Sequence, residues 1–375
     1  MDDDPLRSLL RESHQALEGI FQLYGRQHVH PYYFEVRAWR QVRAALEHLR
    51  GADLSSRMTP FAGIAGTDGS AVRKTPPLPA PSMQSIPEKA DMLKSSNAAN
   101  HTQVSILMPA WNAQRTIGVA VRSVLRQTMP DWELLVISDD AFDYRRILPA
   151  DGRIRHLSTG RTGAGPAIAR NIGMDAARGD FLCALDSDDF FSRRKLEKLL
   201  PLAEKHGIAV DNSWYYHEWA AAPGFPYWPD CAGGWHPMEF FGHLNKPVWP
   251  LIRTGIARLA RYPDDLFFAE DAIFNFAAMA WNDGAWLHPH PLHFYRIRRD
   301  SLSHGHDAAG RGPGERAEAA YMAILDRLLR GDPMGFPKDR LEEAVSIIQR
   351  KQTVNRNFLR SNADNFHDFD RASRD

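Results

Sequence analysis

Four consecutive positions, Asp186, Ser187, Asp188 and Asp189, put three carboxylates directly after the apolar stretch FLCAL. Acids that repel one another at such close range need something to hold them together. Oxygen-rich sites suit Mg²⁺ or Mn²⁺, and a site using one or two carboxylates leaves its other positions to water and diphosphate oxygens. The competing reading is that one of these acids caps a helix starting near Ser192. A second pair, Asp139 and Asp140, closes the apolar run WELLVIS, and Trp111 closes VSILMPA. Aspartate can accept hydrogen bonds from a nucleobase N–H, and an indole offers a face for base stacking, with simple core packing as the alternative for Trp111. HPHPLH invites a zinc reading, but its alternating prolines stiffen the chain and no cysteine pair accompanies it. GRTGAGPA is rich in glycine but is not GxxxxGK[ST], and reads as a turn over a ligand rather than a phosphate-cradling loop.

These groups need a scaffold that brings separate strand ends to one edge. VSILMPAW, WELLVIS, IRHLS and DFLCAL read as strands, separated by the helical patterns TIGVAVRSVLRQ and GPAIARNIGMDAAR and followed by RRKLEKLLPLAEKHG. Strand alternating with helix predicts an α/β fold, a mostly parallel sheet covered by helices, with ligands beyond the carboxyl ends of the strands. Residues 211–250 are dense in aromatics and poor in period, EDAIFNFAAMAW reads as a helix, and residues 315–359 return to amphipathic helix with a break at GDPMGFP. Before all of this, residues 1–50 show helical periodicity, with Pro31 opening the second arm of a hairpin. Residues 51–101, including PPLPAPS and SSNAAN, read as a flexible linker. The expected organisation is a helical hairpin at 1–50, a linker at 51–101, the α/β domain at 102–310 and a C-terminal helical extension at 311–375.

Composition narrows the classes of partner. Forty-six basic and 46 acidic residues balance to a formal charge of zero, which leaves no global field for nucleic acid or an anionic membrane. The two cysteines, Cys183 and Cys231, form neither a CxxC site nor a disulfide framework. An acidic N-terminus and the absence of a long unbroken apolar run give no signal peptide or transmembrane segment, so the expected location is cytoplasmic, or the inner face of the membrane. The terminal helices could support oligomerisation or peripheral membrane contact, although an apolar stripe most often packs on its own core.

Taken in order, VSILMPAWNAQRTIGVAVRSVLRQTMPDWELLVISDD, GPAIARNIGMDAARGDFLCALDSDD, AEDAIFNFAAMA and HFYRIRRDSLS resemble the family 2 glycosyltransferases. Four segments in the family's order make this specific, where any one would be weak. The resemblance implies a GT-A fold, a nucleotide-diphospho-sugar donor, a UDP-sugar by expectation, and an inverting transfer to a glycan, lipid-linked or small-molecule acceptor. Position by position it implies Trp111 and Pro109 beside the base, Asp140 on the base itself, Asp186 near the ribose and donor sugar, and Asp188 on the Mn²⁺ or Mg²⁺ with Asp186 and Asp189 as further metal ligands. Arg170 of ARNIG would either touch the donor or form a salt bridge orienting Asp186 or Asp188. Glu270 and Asp271 match the family's acidic pair, with Asp271 as general base. That demand is chemical: an acceptor hydroxyl is a poor nucleophile until a carboxylate within reach takes its proton. His293, Tyr295, Arg296 and Arg298 match a final segment that can approach the diphosphate. The chain departs from the family in ISDDAFDYRRIL, where Gly or Ser and a further acid usually follow the acidic pair.

Two other functions fit parts of this pattern. A sugar-phosphate nucleotidyltransferase would share the fold, but the first strand leads into PAWNAQ instead of a basic glycine-rich loop. A non-catalytic sugar- or protein-binding module would need neither Asp188 nor Asp271.

Overall fold

The computed structural model describes residues 102–218, 225–227, 232–242, 248–298 and 312–361. The hairpin expected at 1–50, the linker at 51–101, Trp219, Trp228 and Cys231 lie outside the described residues. The first half of the fold is β1 (Val104–Ala110), α1 (Ile117–Leu125), β2 (Trp132–Ser138), β3 (Ile154–Ser158), α2 (Pro166–Ala176), β4 (Phe181–Ala184), β5 (Phe190–Phe191) and α3 (Lys195–His206). Then follow β6 (Ile208–Asp211), β7 (Trp214–His217), β8 (Phe225–Pro226), β9 (Gly234–Pro237), α4 (Met238–Gly242), β10 (Leu251–Arg253), α5 (Thr254–Ala260), α6 (Glu270–Trp281), β11 (Gly284–His288) and β12 (His293–Ile297). Two long helices, α7 (Pro313–Leu329) and α8 (Leu341–Arg360), close the described chain.

An eight-stranded sheet in the order β3-β2-β1-β4-β10-β6-β11-β9 forms the centre. Its pairings are parallel from β3 through β4 and between β6 and β11, while β10 runs against both its neighbours and β9 against β11. This is the helix-covered, mostly parallel α/β arrangement expected from the alternation of strand and helix. Because both faces are covered, the strands read as nearly continuous apolar runs. Successive side chains serve opposite faces: Ile106, Met108, Leu134 and Val136 pack with Ile117, Val121, Leu196 and Leu199 of α1 and α3. Leu107, Leu135 and Ile137 meet Ala167 and Met174 of α2, together with Ile273 and Phe276 of α6. Gly173 is what lets α2 lie this close, since a Cβ there would come within 3.0 Å of Ile137 and 3.1 Å of Leu107.

Helices α7 and α8 share that second core, with Tyr321, Ile324, Leu328, Phe336, Ile347 and Ile348 in the same cluster as Ile273 and Phe276. The Trp281 indole N–H donates to the Gly335 carbonyl at 2.7 Å, and Arg327 pairs with Asp265 at 2.7 Å. The break at GDPMGFP separates the two helices, as its proline and glycine content dictates.

Residues 211–250, where no period was legible, contain the short strands β7, β8 and β9 and the one-turn α4. A second sheet, β5-β12-β7-β8, uses part of this segment, with β12 parallel to β7 and antiparallel to β5. Most of the described aromatics here, Trp214, Tyr215, Tyr227, Trp235 and Trp249, are buried. The rings of Tyr215, Tyr227 and Trp249 pack into the core.

Candidate active site

Strand register builds one edge of the site. Ala110 pairs with Ser138 and Leu107 with Ala184, so Trp111, the pair Asp139 and Asp140, and the acids after β4 emerge on the same side of the sheet. Pro109 lies within β1 on this edge. Trp111 is 49% exposed, which removes core packing as its role.

Asp140 is held by its own surroundings. One oxygen accepts from the Asn112 N–H at 2.8 Å and from the Tyr144 hydroxyl at 2.8 Å, the other from the Phe142 N–H at 3.1 Å. Burial opposes its charge, but the bonds from Tyr144, Asn112 and Phe142 outweigh it and leave the carboxyl below the usual range. The unusual segment after the acidic pair explains this shell. Ala141 takes a positive φ of 61°, Asp143 accepts from the Arg145 N–H, and the turn at 144–146 delivers the Tyr144 ring. Sequence reasoning missed Tyr144; its signal was an aromatic within four residues of an acid at a strand end.

The acids after β4 divide in two. Helix α3 begins at Lys195 with Arg194 in the capping position and no side-chain cap, so none of them caps it. Asp186 and Asp188 have side chains 26% and 25% exposed, whereas that of Asp189 is fully enclosed. Burial, reinforced by the charge of Asp186, pushes the Asp188 carboxyl up to about 6; Arg298, 3.3 Å away, opposes the rise. Asp189 was expected as a further metal ligand. Both its oxygens instead face inward, one accepting from the Arg296 N–H at 2.8 Å and the other 3.0 Å from His293 Nε2. His293, expected near a diphosphate, has its ring buried and stacked on Trp249 with centroids 4.0 Å apart. The Arg296 guanidinium donates to the Tyr216 hydroxyl at 2.9 Å. Asp189 and His293 therefore fasten β12 to the loop that carries Asp188.

Arg170 links this edge to α6. Its guanidinium donates to Asp186 at 2.6 Å and to Glu270 at 3.0 Å, so of the two roles open to it the ion pair is the one formed. Burial would drive its proton off, but Asp186, Tyr262 and Glu270 more than compensate and raise its pKa above the usual value. Burial and the Asp271 charge push Glu270 up to about 7. Asp271 is also raised by burial, with Arg170 pulling the other way and Asp186 adding to the rise. Ala269, in the position that would cap α6, has a left-handed φ of 64° and no side-chain bond, so these acids start the helix without capping it from outside. A small void of about 20 Å³ is lined by Leu107, Leu182, Arg170, Tyr262, Trp249 and Asp271.

Among the described residues no group of three or more His, Cys, Asp or Glu side chains is arranged to hold a metal ion. Asp188 and Asp186 instead form a sparse, partly exposed oxygen pair. That donor set fits a Mg²⁺- or Mn²⁺-type ion sharing its shell with a bound phosphate, since such sites use one or two carboxylates. It does not fit an all-protein cage.

The family described as Glycosyl transferase family 2 matches residues 105–262. The Escherichia coli UDP-Glc:alpha-D-GlcNAc-diphosphoundecaprenol beta-1,3-glucosyltransferase WfgD is 42% identical over 109 residues, 28% of this chain and 43% of that protein. The succinoglycan biosynthesis protein ExoO of Rhizobium meliloti is 29% identical over 219 residues, 53% of this chain and 62% of its own length. This chain thus spans less than two thirds of either relative. Among solved structures, S. aureus TarS 1-349 in complex with UDP superposes with a TM-score of 0.49 at 16% identity, covering 66% of this chain and 70% of that one. The matched segment, residues 105–262, which carries the strand-end acids and Arg170, is a family 2 glycosyltransferase segment.

Proposed function

We propose that this chain is an inverting glycosyltransferase that moves a sugar from a UDP-sugar to a hydroxyl of a carbohydrate or lipid-linked acceptor. The observation that carries the reading is the Arg170 bridge, which fixes a donor-side carboxylate, Asp186, and the helix bearing Asp271 to one buried cation. Trp111 would stack on the base, with Asp140 and Pro109 beside it. Asp188 and Asp186 would hold Mn²⁺ or Mg²⁺. When bound, that ion neutralises charge on the diphosphate and makes it a better leaving group.

Asp271 accepts the proton of the acceptor hydroxyl as its oxygen attacks the anomeric carbon from the face opposite the diphosphate. The new C–O bond forms as the bond to the phosphate oxygen breaks, and the nucleoside diphosphate leaves with the bonding pair. Glu270, spent on Arg170, keeps that cation in line. Arg298, beside Asp188, adds positive charge where the phosphates would lie. For the acceptor, the support is the relatives' names: WfgD acts on a diphosphoundecaprenol-linked sugar and ExoO belongs to succinoglycan biosynthesis. No helix among the described residues is long and apolar enough to cross a membrane.

Calorimetric titration with UDP, GDP and dTDP, each with Mn²⁺ and again with EDTA, tests the donor half. Metal-dependent binding of UDP over the other two is expected. Failure to bind any of the three would return the chain to the non-catalytic binding reading.

A further inference from the structure

Asp139 has no part in the chemistry described so far. It follows β2 directly and is 5% exposed. Its Oδ1 accepts from the Ala164 N–H at 2.8 Å and lies 2.8 Å from the Thr159 hydroxyl, and Oδ2 accepts from the Gly165 N–H at 2.9 Å. Its carbonyl accepts from the Gly163 N–H at 2.8 Å, and its own N–H donates to the Ala110 carbonyl at the end of β1. One residue therefore ties the loop at 159–165 to the ends of β1 and β2 through both side chain and backbone.

The loop needs such a tie. It contains neither strand nor helix, and Gly160, Gly163 and Gly165 have φ of 73°, 72° and 100°, a backbone that costs much conformational freedom to fix. What rests on it is informative. A Cβ at Gly163 would lie 3.7 Å from the Trp111 ring, so the exposed indole sits on the backbone of this loop. At the other end, a Cβ at Gly165 would come within 3.2 Å of the Phe267 ring, in the segment just before α6.

We propose that Asp139 is a positioning residue for the nucleotide base: its carboxylate fixes the loop at 159–165, and the loop holds the Trp111 ring in its stacking position. This rests on the donor reading above. A carboxylate is needed because both oxygens accept from backbone N–H groups, whereas an asparagine would set its own NH₂ against one of them.

The test is a double-mutant cycle in the full chain, read by calorimetric titration with UDP and Mn²⁺. Asp139→Asn is expected to weaken UDP by about tenfold, the scale of one buried group left unsatisfied. In a Trp111→Ala background the same change should cost almost nothing further, because the loop acts through that ring. Wild-type affinity in Asp139→Asn, or losses that simply multiply in the double variant, would overturn the proposal. If Asp139→Asn does not fold, as judged by near-UV circular dichroism, Thr159 supplies the second arm. Thr159→Val should weaken UDP several-fold while Thr159→Ser, which keeps the hydroxyl, matches wild type; equal affinities overturn the proposal. A wild-type chain that binds no nucleotide defeats the donor reading itself, and the role of Asp139 falls with it.

Discussion

The edge formed by β1, β2 and β4 and the wall formed by β12, β7 and α6 serve one site but are built differently. On the edge, the acids come just after apolar parallel strands, and Asp140 is held by the neighbouring Phe142 and Tyr144 together with Asn112 at the end of the adjacent strand. The wall depends on pairs far apart in the chain: Asp189 with His293, Asp186 with Glu270 through Arg170, and the fully buried pair of Lys195 and Asp211, which also takes the Leu292 N–H at the entry to β12. Local construction lets a residue change with little effect on the fold. Distant buried pairs tie function to stability, because removing one partner strands the other charge.

Changes on either side should therefore fail in different ways. Asp271→Asn is expected to slow transfer by about 10²–10⁴-fold, the usual worth of a general base, while UDP affinity stays as it was. Rate measurement at saturating donor beside calorimetry would check this, and loss of both together would erase the distinction. Arg170→Met, which cuts the bridge itself, should lower unfolding stability by about 3–5 kcal/mol in urea titration, since Asp186 and Glu270 lose their shared cation. A variant as stable as wild type would place Arg170 with the local edge instead. Asp188→Asn belongs to the edge: it should cost more than about a hundredfold in Mn²⁺-dependent UDP binding, above the range for a mere outer partner of a metal, with stability nearly unchanged. The smallest effect concerns pH. Asp271 must be charged to accept a proton and burial raises its pKa, so the rate should fall, as pH drops, at a value above the ordinary 3.8 of aspartate. An acid limb at 3.8 or below in the pH–rate profile would mean the carboxylate is solvated and the wall open.

The same contrast explains what the sequence disclosed. Strands such as IRHLS and helices such as EDAIFNFAAMAW coincide with β3 and α6 because periodicity and apolar runs are local signals. The acids at strand ends were legible for the same reason. Strand β10 was not, being three residues inserted antiparallel between β4 and β6 with no pattern of its own. Nor could spacing tell that Asp189 turns inward while Asp188, one residue earlier, stays partly exposed; that depends on β12 arriving from a hundred residues away to supply the Arg296 N–H and the His293 ring. Arg170 had two roles open until Glu270 was seen beside it.

The C-terminal helices carry a consequence for how this protein can be divided. The family match ends at residue 262, before Asp271, yet the core beneath Asp271 is completed by Tyr321 and Ile324 from α7, Ile347 from α8 and Phe336 between them. A chain cut after β12 would retain every acid of the site and bare the apolar underside of α6. Such a truncation is expected to aggregate rather than bind, so the smallest heritable unit of this site is longer than the stretch by which its kinship is recognised.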